Sequence, residues 1–273
     1  MKSITFGQFY PADSVLHRLD PRIKVILTVL YIVCSFLCKN IVSFALLLLS
    51  SLLLIAAGKI PLKIILRGLR PVLIILIFTA VLNIFWTKGE HLLFGWKFIQ
   101  IYAEGLYAAL FILIRIAALI IGTGMLLTYT TTPIALTDAL EDLLSPLKKL
   151  HVPVHSFAMM MTIALRFIPT LVEETDKIMT AQKARGADFS TGSLIDRAKA
   201  LIPVLIPLVV SAFNRAEDLA IAMECRCYHG GDGRTRMTVR HLRAADFVPL
   251  ALVVLLGASL IALNVIGFGY TMR

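Results

Sequence analysis

Residues 23–38 (IKVILTVLYIVCSFLC) and 41–57 (IVSFALLLLSSLLLIAA) are apolar runs separated only by Lys39 and Asn40. Each is near the roughly 17-residue lower limit for crossing the hydrocarbon of a bilayer as a helix, so little tilt is expected. So short a connection predicts a tight transmembrane hairpin. Composition places the whole chain in the same class: 58% of its 273 residues are hydrophobic and the mean hydropathy is +0.84. Soluble domains balance apolar and charged residues more evenly. The expected fold is an all-α polytopic membrane protein with about five transmembrane helices and long cytoplasmic or interfacial coupling helices inserted before the last span.

The remaining spans are predicted at 71–86, 103–127 and 247–268. Pro71 is expected in the first turn of its helix, where a missing N–H costs nothing. Lys59, Lys63, Arg67 and Arg70 then fill an acid-free loop over 58–70. Lys2, Arg18 and Arg22 precede the first span and Lys24 stands at its very start, and Arg234, Arg236, Arg240 and Arg243 precede the last. Clustering of basic residues in alternate loops follows the positive-inside rule and puts the N-terminus in the cytoplasm and the C-terminus outside. Trp86 and Trp96 fit an interfacial aromatic belt around an outer loop, 87–102. The first twenty residues carry no uninterrupted apolar core, so the first apolar helix is expected to be the insertion signal.

The formal net charge is +10, yet residues 128–246 hold fourteen basic and thirteen acidic side chains. A nucleic-acid reader would concentrate its excess charge in that largest polar region, so no nucleic-acid partner is expected. The chain divides into 1–127, an N-terminal segment and four spans; 128–246, a cytoplasmic coupling-helix region; and 247–273, the final span and tail. Within the second part, Thr132 is a good N-cap before Pro133, and leucines at three- and four-residue spacing from Leu136 to Leu150 predict a short amphipathic helix. Pro146 is expected to bend or end it. The stretches 154–172 and 200–213 are apolar but interrupted by Arg166, Pro169, Pro203 and Pro207. Both continue into polar helical ends, which predicts long helices with one apolar and one polar half. Ser193, with Asp196 three residues on, caps the second. From Leu194 to Cys227 that helix would reach about 50 Å, and HGGDG (229–233) would supply its left-handed glycine cap.

Arg115 is a strong charge deep in a span, where a functional role, a bond to a helix carbonyl or Asn83, or contact with thinned lipid near a half-embedded subunit would offset its cost. The coupling region offers a different feature. Its two long helices end in Ala184-Arg185-Gly186 and Cys225-Arg226-Cys227, 41 residues apart, with Ala181 and Ala222 at the same offset. An arginine in a last turn complements free helix carbonyls, which accounts for its presence but not for the small neighbours on both sides. Small neighbours leave a guanidinium projecting, and its planar fork suits a carboxylate in a groove. Two such pegs suggest a partner with two equivalent grooves.

SVLHRLDPRIK (14–24), RFIPTLVEE (166–174), AQKARGA (181–187) and AMECRCY (222–228) resemble the characteristic segments of the transmembrane T component of energy-coupling factor transporters, which are ATP-driven vitamin and metal uptake systems of the bacterial cell membrane. The resemblance implies a non-catalytic scaffold. Its partners would be two cytoplasmic ABC-type ATPases, whose grooves receive Arg185 and Arg226, and one or several exchangeable substrate-binding S components in the lipid bilayer. ATP and Mg would bind the partner ATPases, with no cofactor on this chain. Ala184, Gly186, Cys225 and Cys227 would line the docking contacts. Arg166, Pro169, Glu173, Ala181, Ala222 and Glu224 are coupling candidates. The second motif departs from the family pattern in its two cysteines.

Cys225, Cys227 and His229 lack the four-ligand spacing of structural zinc, so packing or peg geometry is the expected role and no metal site is predicted. Cys34 and Cys38 read as small apolar fillers. Met159, Met160, Met161, Met179 and Met223 suit either an adaptable contact surface or ordinary core. Glu173, Glu174 and Asp176 have no companion to complete a catalytic set, so no enzyme activity is expected. The rival reading, a self-contained permease, requires broken helices or several charges near the midplane, and Arg115 alone qualifies.

Overall fold

The computed structural model describes residues 9–87, 92–96, 99–189, 191–230 and 242–266. They fall into two compact units, Met1–Ala139 with Arg240–Arg273, and Leu140–Val239. Among the described residues the chain is helical apart from one small hairpin. Lys2, the basic residues Arg234, Arg236 and Arg240, Gly231–Gly233 and the side chain of Trp96 lie outside the described residues.

In the first unit a short turn, α1 (Val15–Arg18), leads into α2 (Pro21–Leu37), the helix around which the unit packs. Asp20 fixes the start of α2 by accepting the Arg22 N–H at 2.9 Å, with Pro21 at the first helical position. Leu27, Tyr31 and Cys34 of α2 form one buried cluster with Phe44 and Leu47 of α3 (Ile41–Gly58). After α4 (Leu62–Trp86), the same cluster takes Phe111 from α5 (Ala103–Thr123) and Leu260 from α9 (Ala244–Ile266). The Tyr31 ring lies against Gly122 of α5, where a Cβ would overlap it, so this crossing requires glycine.

The last carbonyls of α2 have no donor within their own helix. Other helices supply the donors. Asn264 of α9 donates to the Leu37 carbonyl at 2.6 Å, and Arg115 of α5 donates to the Cys38 carbonyl at 2.8 Å. Asn40 returns the exchange with a bond to the Leu263 carbonyl at 3.1 Å. The Arg115 guanidinium also lies over the Phe44 ring, 5.3 Å from its centre. Of the readings open for Arg115, the helix-carbonyl contact is the one the structure contains.

Lys24 departs from expectation. It is only 2% exposed, and its ammonium donates to the Thr130 carbonyl at 2.8 Å and the Thr131 hydroxyl at 3.3 Å. These acceptors follow a π-helical turn, Gly124–Thr128, that extends α5 and is closed by the Tyr129 N–H on the Gly124 carbonyl. A residue read as a flanking surface charge is therefore a buried tie between α2 and the end of α5. Two further differences concern connections. α4 begins at Leu62, so the segment expected as a loop is helical and Pro71 lies inside the helix. Ile65 is buried there, and that packing holds the turn despite the hydrogen bond that proline removes. The connection expected as an outer loop contains a two-stranded antiparallel hairpin, β1 (Leu92–Trp96) with β2 (Ile99–Tyr102), pairing Gly95 with Gln100 and Trp96 with Ile99.

The chain leaves the first unit through α6 (Pro133–Leu144), capped as expected by Thr132, whose hydroxyl accepts the Ala135 N–H at 3.3 Å. A 3-10 turn, Ser145–Leu150, replaces the α-helix at Pro146. The second unit then holds two 31-residue helices, α7 (Val154–Ala184) and α8 (Leu194–Glu224). Both run unbroken through their prolines.

Five helices among the described residues are long and apolar enough to cross a membrane: α3, α4, α5 with its π turn (Ala103–Thr128), α7 and α9. The number agrees with the sequence reading and the membership differs. α2 has 17 residues, about 26 Å of helix, because Asp20 caps one end and the Asn40 turn closes the other. α7 qualifies through its length, although it is the least apolar of the five. α8 is not among them.

Candidate docking site at two helix ends

α7 and α8 pack antiparallel, because contacts that advance along α7 retreat along α8. Arg215 donates to the Glu174 carboxylate at 2.7 Å, and the Gln182 side chain donates to the Pro203 carbonyl at 3.4 Å. The second contact has a local cause. Pro207 has no N–H, so the carbonyl four residues earlier, that of Pro203, loses its helical donor, and Gln182 fills the place. α8 spans about 46 Å, three residues shorter than the expected helix to Cys227. Most of that length separates the turn after Arg185 from Arg226.

The two arginine ends are the same cap. At α7, the Ala187 N–H bonds the Gln182 carbonyl and the Gly186 N–H bonds the Lys183 carbonyl, both at 3.0 Å. At α8, the Tyr228 N–H bonds the Met223 carbonyl at 3.0 Å and the Cys227 N–H bonds the Glu224 carbonyl at 2.9 Å. This is the Schellman arrangement, which satisfies carbonyls left over at a helix end, and every partner in one cap lies 41 residues from its counterpart in the other. Gly186 takes the left-handed position at φ +89°, and Cys227 takes it at φ +56°. The sequence reading put the α8 cap on the glycines of 229–233. The helix instead ends at Glu224, because the carbonyls of Met223 and Glu224 are met by the first N–H groups that can turn back. A non-glycine residue in this conformation costs about 1–2 kcal/mol, so the α8 end bears a local strain that the α7 end lacks.

Both arginines therefore occupy the position just before the left-handed residue. Ala184, Arg185 and Gly186 are exposed, as are Cys225, Arg226 and Cys227. Among the described residues neither guanidinium has a hydrogen-bond or ion-pair partner. Ala181 and Ala222 are exposed one turn before each end, and Glu224 is the last helical residue of α8. Arg166, Pro169 and Glu173 are exposed farther back along α7, so the structure does not bring them to the arginine ends. Among the described residues, no three of histidine, cysteine, aspartate and glutamate gather in a metal-holding arrangement.

The family model described as a cobalt transport protein, CbiQ, matches residues 12–237, a range that includes both arginine ends. The chain is 52% identical over 249 residues to the energy-coupling factor transporter transmembrane protein EcfT of Clostridium kluyveri, covering 91% of this chain and 92% of the relative. It is 53% identical to that of Ruminiclostridium cellulolyticum, with 90% and 91% covered, and 49% identical to that of Bacillus subtilis, with 86% and 89% covered. The chain belongs to the energy-coupling factor T-component family. The bonds that join α7 and α8 of this T component, Gln182 to Pro203 and Arg215 to Glu174, were not singled out in its sequence. The signals available were the offset of 41 between Glu174 and Arg215 and the carbonyl that any helical proline leaves unpaired.

Proposed function

We propose that this T component is the non-catalytic scaffold of an ATP-driven vitamin or metal uptake transporter. Arg185 and Arg226 dock into grooves of two cytoplasmic ATPase subunits, which bind ATP and Mg. The observation that carries the reading is the repetition of one Schellman cap at two helix ends, each holding an exposed arginine with no partner among the described residues. A charge-assisted, bidentate contact with a groove carboxylate uses the guanidinium geometry fully. When the ATPases close on ATP, the grooves move the two ends, and α7 and α8 shift against each other. Coupling requires the contacts to differ between the two states, and the small residues Ala181, Ala184, Ala220 and Ala222 permit that shift.

The substrate belongs to an S component in the membrane. Leu201, Ile202, Leu205, Ile206, Val209 and Phe213 of α8 are exposed, and lipid or a membrane-embedded S component would remove that apolar face from water. The N-terminus and the polar halves of α7 and α8 lie in the cytoplasm, and the C-terminus lies outside. Arg115, the one feature favouring a self-contained permease, is bonded to the Cys38 carbonyl.

Replacement of Arg185→Glu together with Arg226→Glu is expected to abolish uptake and copurification of both ATPases. Retention of both would end the docking reading. In a background without other cysteines, Asp188→Cys should react with an impermeant thiol reagent only from the cytoplasmic face.

A further inference from the structure

The chain has four cysteines, of which Cys34 and Cys38 are buried while Cys225 and Cys227 are exposed, one on each side of Arg226. Cys227 also occupies the left-handed position whose counterpart in α7 is Gly186. Glycine would sit there without strain, and neither cap geometry nor a small neighbour for the arginine requires sulfur. The α7 end carries no sulfur at all. Among the described residues these thiols join no metal-holding cluster. The chemistry that remains to two exposed thiols beside a docking cation is reversible thiol–disulfide exchange.

We infer that Cys225 and Cys227 are a modification site through which a small, carboxylate-bearing disulfide closes the Arg226 docking contact and leaves the Arg185 contact open. This rests on the docking reading above. A cysteine thiol gives up its proton, and the thiolate attacks one sulfur of the small disulfide. The S–S bond of the reagent breaks as the protein–S–S bond forms, and the departing thiolate takes up a proton. The protein sulfur is oxidised and the departing sulfur reduced, with no other reactant. The attached group then fills space beside Arg226 that the groove would occupy, and its carboxylates compete for the guanidinium. Excess reduced thiol reverses the exchange. Docking in turn covers the thiols, so the undocked chain is the form that reacts.

The test treats the purified full chain with glutathione disulfide before it is mixed with its ATPase subunits. Peptide mass mapping locates the adduct, and native mass spectrometry counts the ATPases bound. The expected result is an adduct on Cys225 or Cys227, loss of one of two ATPases, and recovery of the second after excess reduced glutathione. The Cys225→Ala, Cys227→Gly chain should take up no adduct, and its ATPase count should not change on treatment. An adduct with both ATPases still bound overturns the inference, as does absence of any adduct at these residues. The untreated Arg226→Glu chain is measured in parallel. If it retains both ATPases, the docking reading fails and the inference with it, an outcome distinct from loss in that variant without loss in the modified chain.

Discussion

The end of α7 and the end of α8 share the two hydrogen bonds of a Schellman cap and differ in the residue at its left-handed position, Gly186 in one and Cys227 in the other. The common part holds an arginine exposed before a tight reversal. The differing part separates conformational ease from chemistry: glycine adopts φ +89° without a Cβ penalty, whereas cysteine accepts strain and brings a thiol. The ends also differ in support. Gln182 in the α7 cap reaches the Pro203 carbonyl, and its counterpart Met223 has no amide with which to do the same. The α7 end is the relaxed and braced one; the α8 end is strained.

The largest effect on this comparison is expected from Gly186→Val. There is open space around a Cβ at that position, so backbone conformation alone sets the cost, about 2 kcal/mol for a β-branched residue. Hydrogen exchange at the Ala187 amide should quicken by roughly tenfold or more, and an unchanged rate would show that the cap does not depend on glycine. Cys227→Gly should act with the opposite sign and less strongly. Relief of the left-handed strain, partly offset by the greater freedom of glycine in the open state, should slow exchange at the Tyr228 amide by about 0.5–1 kcal/mol.

Much of this architecture can be read from residues that act on their neighbours in sequence. Thr132 with Pro133 and Ser193 with Asp196 cap their helices because the groups involved are three or four residues apart. The offset of 41 between the arginine ends is also visible in the sequence and turns out to relate two caps with the same pair of Schellman bonds. What could not be read depends on distant parts of the chain. Lys24 looks like a flanking charge until Thr130 and Thr131 are brought to it. Arg115 leaves several roles open until the end of α2 lies beside it. Pro71 suggests a helix start until Ile65 packs and carries the helix through it. The α8 cap was misplaced because glycine is the strongest sequence signal for a left-handed residue, and here cysteine takes that conformation.

Two smaller effects would sharpen the difference in bracing. Exchanging the charges, with Glu174→Arg and Arg215→Glu together, should restore α7–α8 pairing that either change alone weakens, and the coupling should fall with added salt. Thermal unfolding of the four chains at two salt concentrations measures this, and equal stability throughout would remove the pair from the account. The Gln182–Pro203 contact is long and exposed, so the expected coupling is a few tenths of a kcal/mol. Pro207→Ala gives the Pro203 carbonyl a helical donor, after which Gln182→Leu should cost less than in the native background. Equal cost in both backgrounds would mean that Gln182 does not act through that carbonyl.

The central claim is that the two ends are equivalent docking contacts. Native mass spectrometry of the intact complex tests it by counting ATPase subunits on four chains: wild type, Arg185→Glu, Arg226→Glu and the double replacement. Counts of two, one, one and none are predicted. Two subunits retained by either single variant, or loss of both through one arginine with no loss through the other, would contradict it.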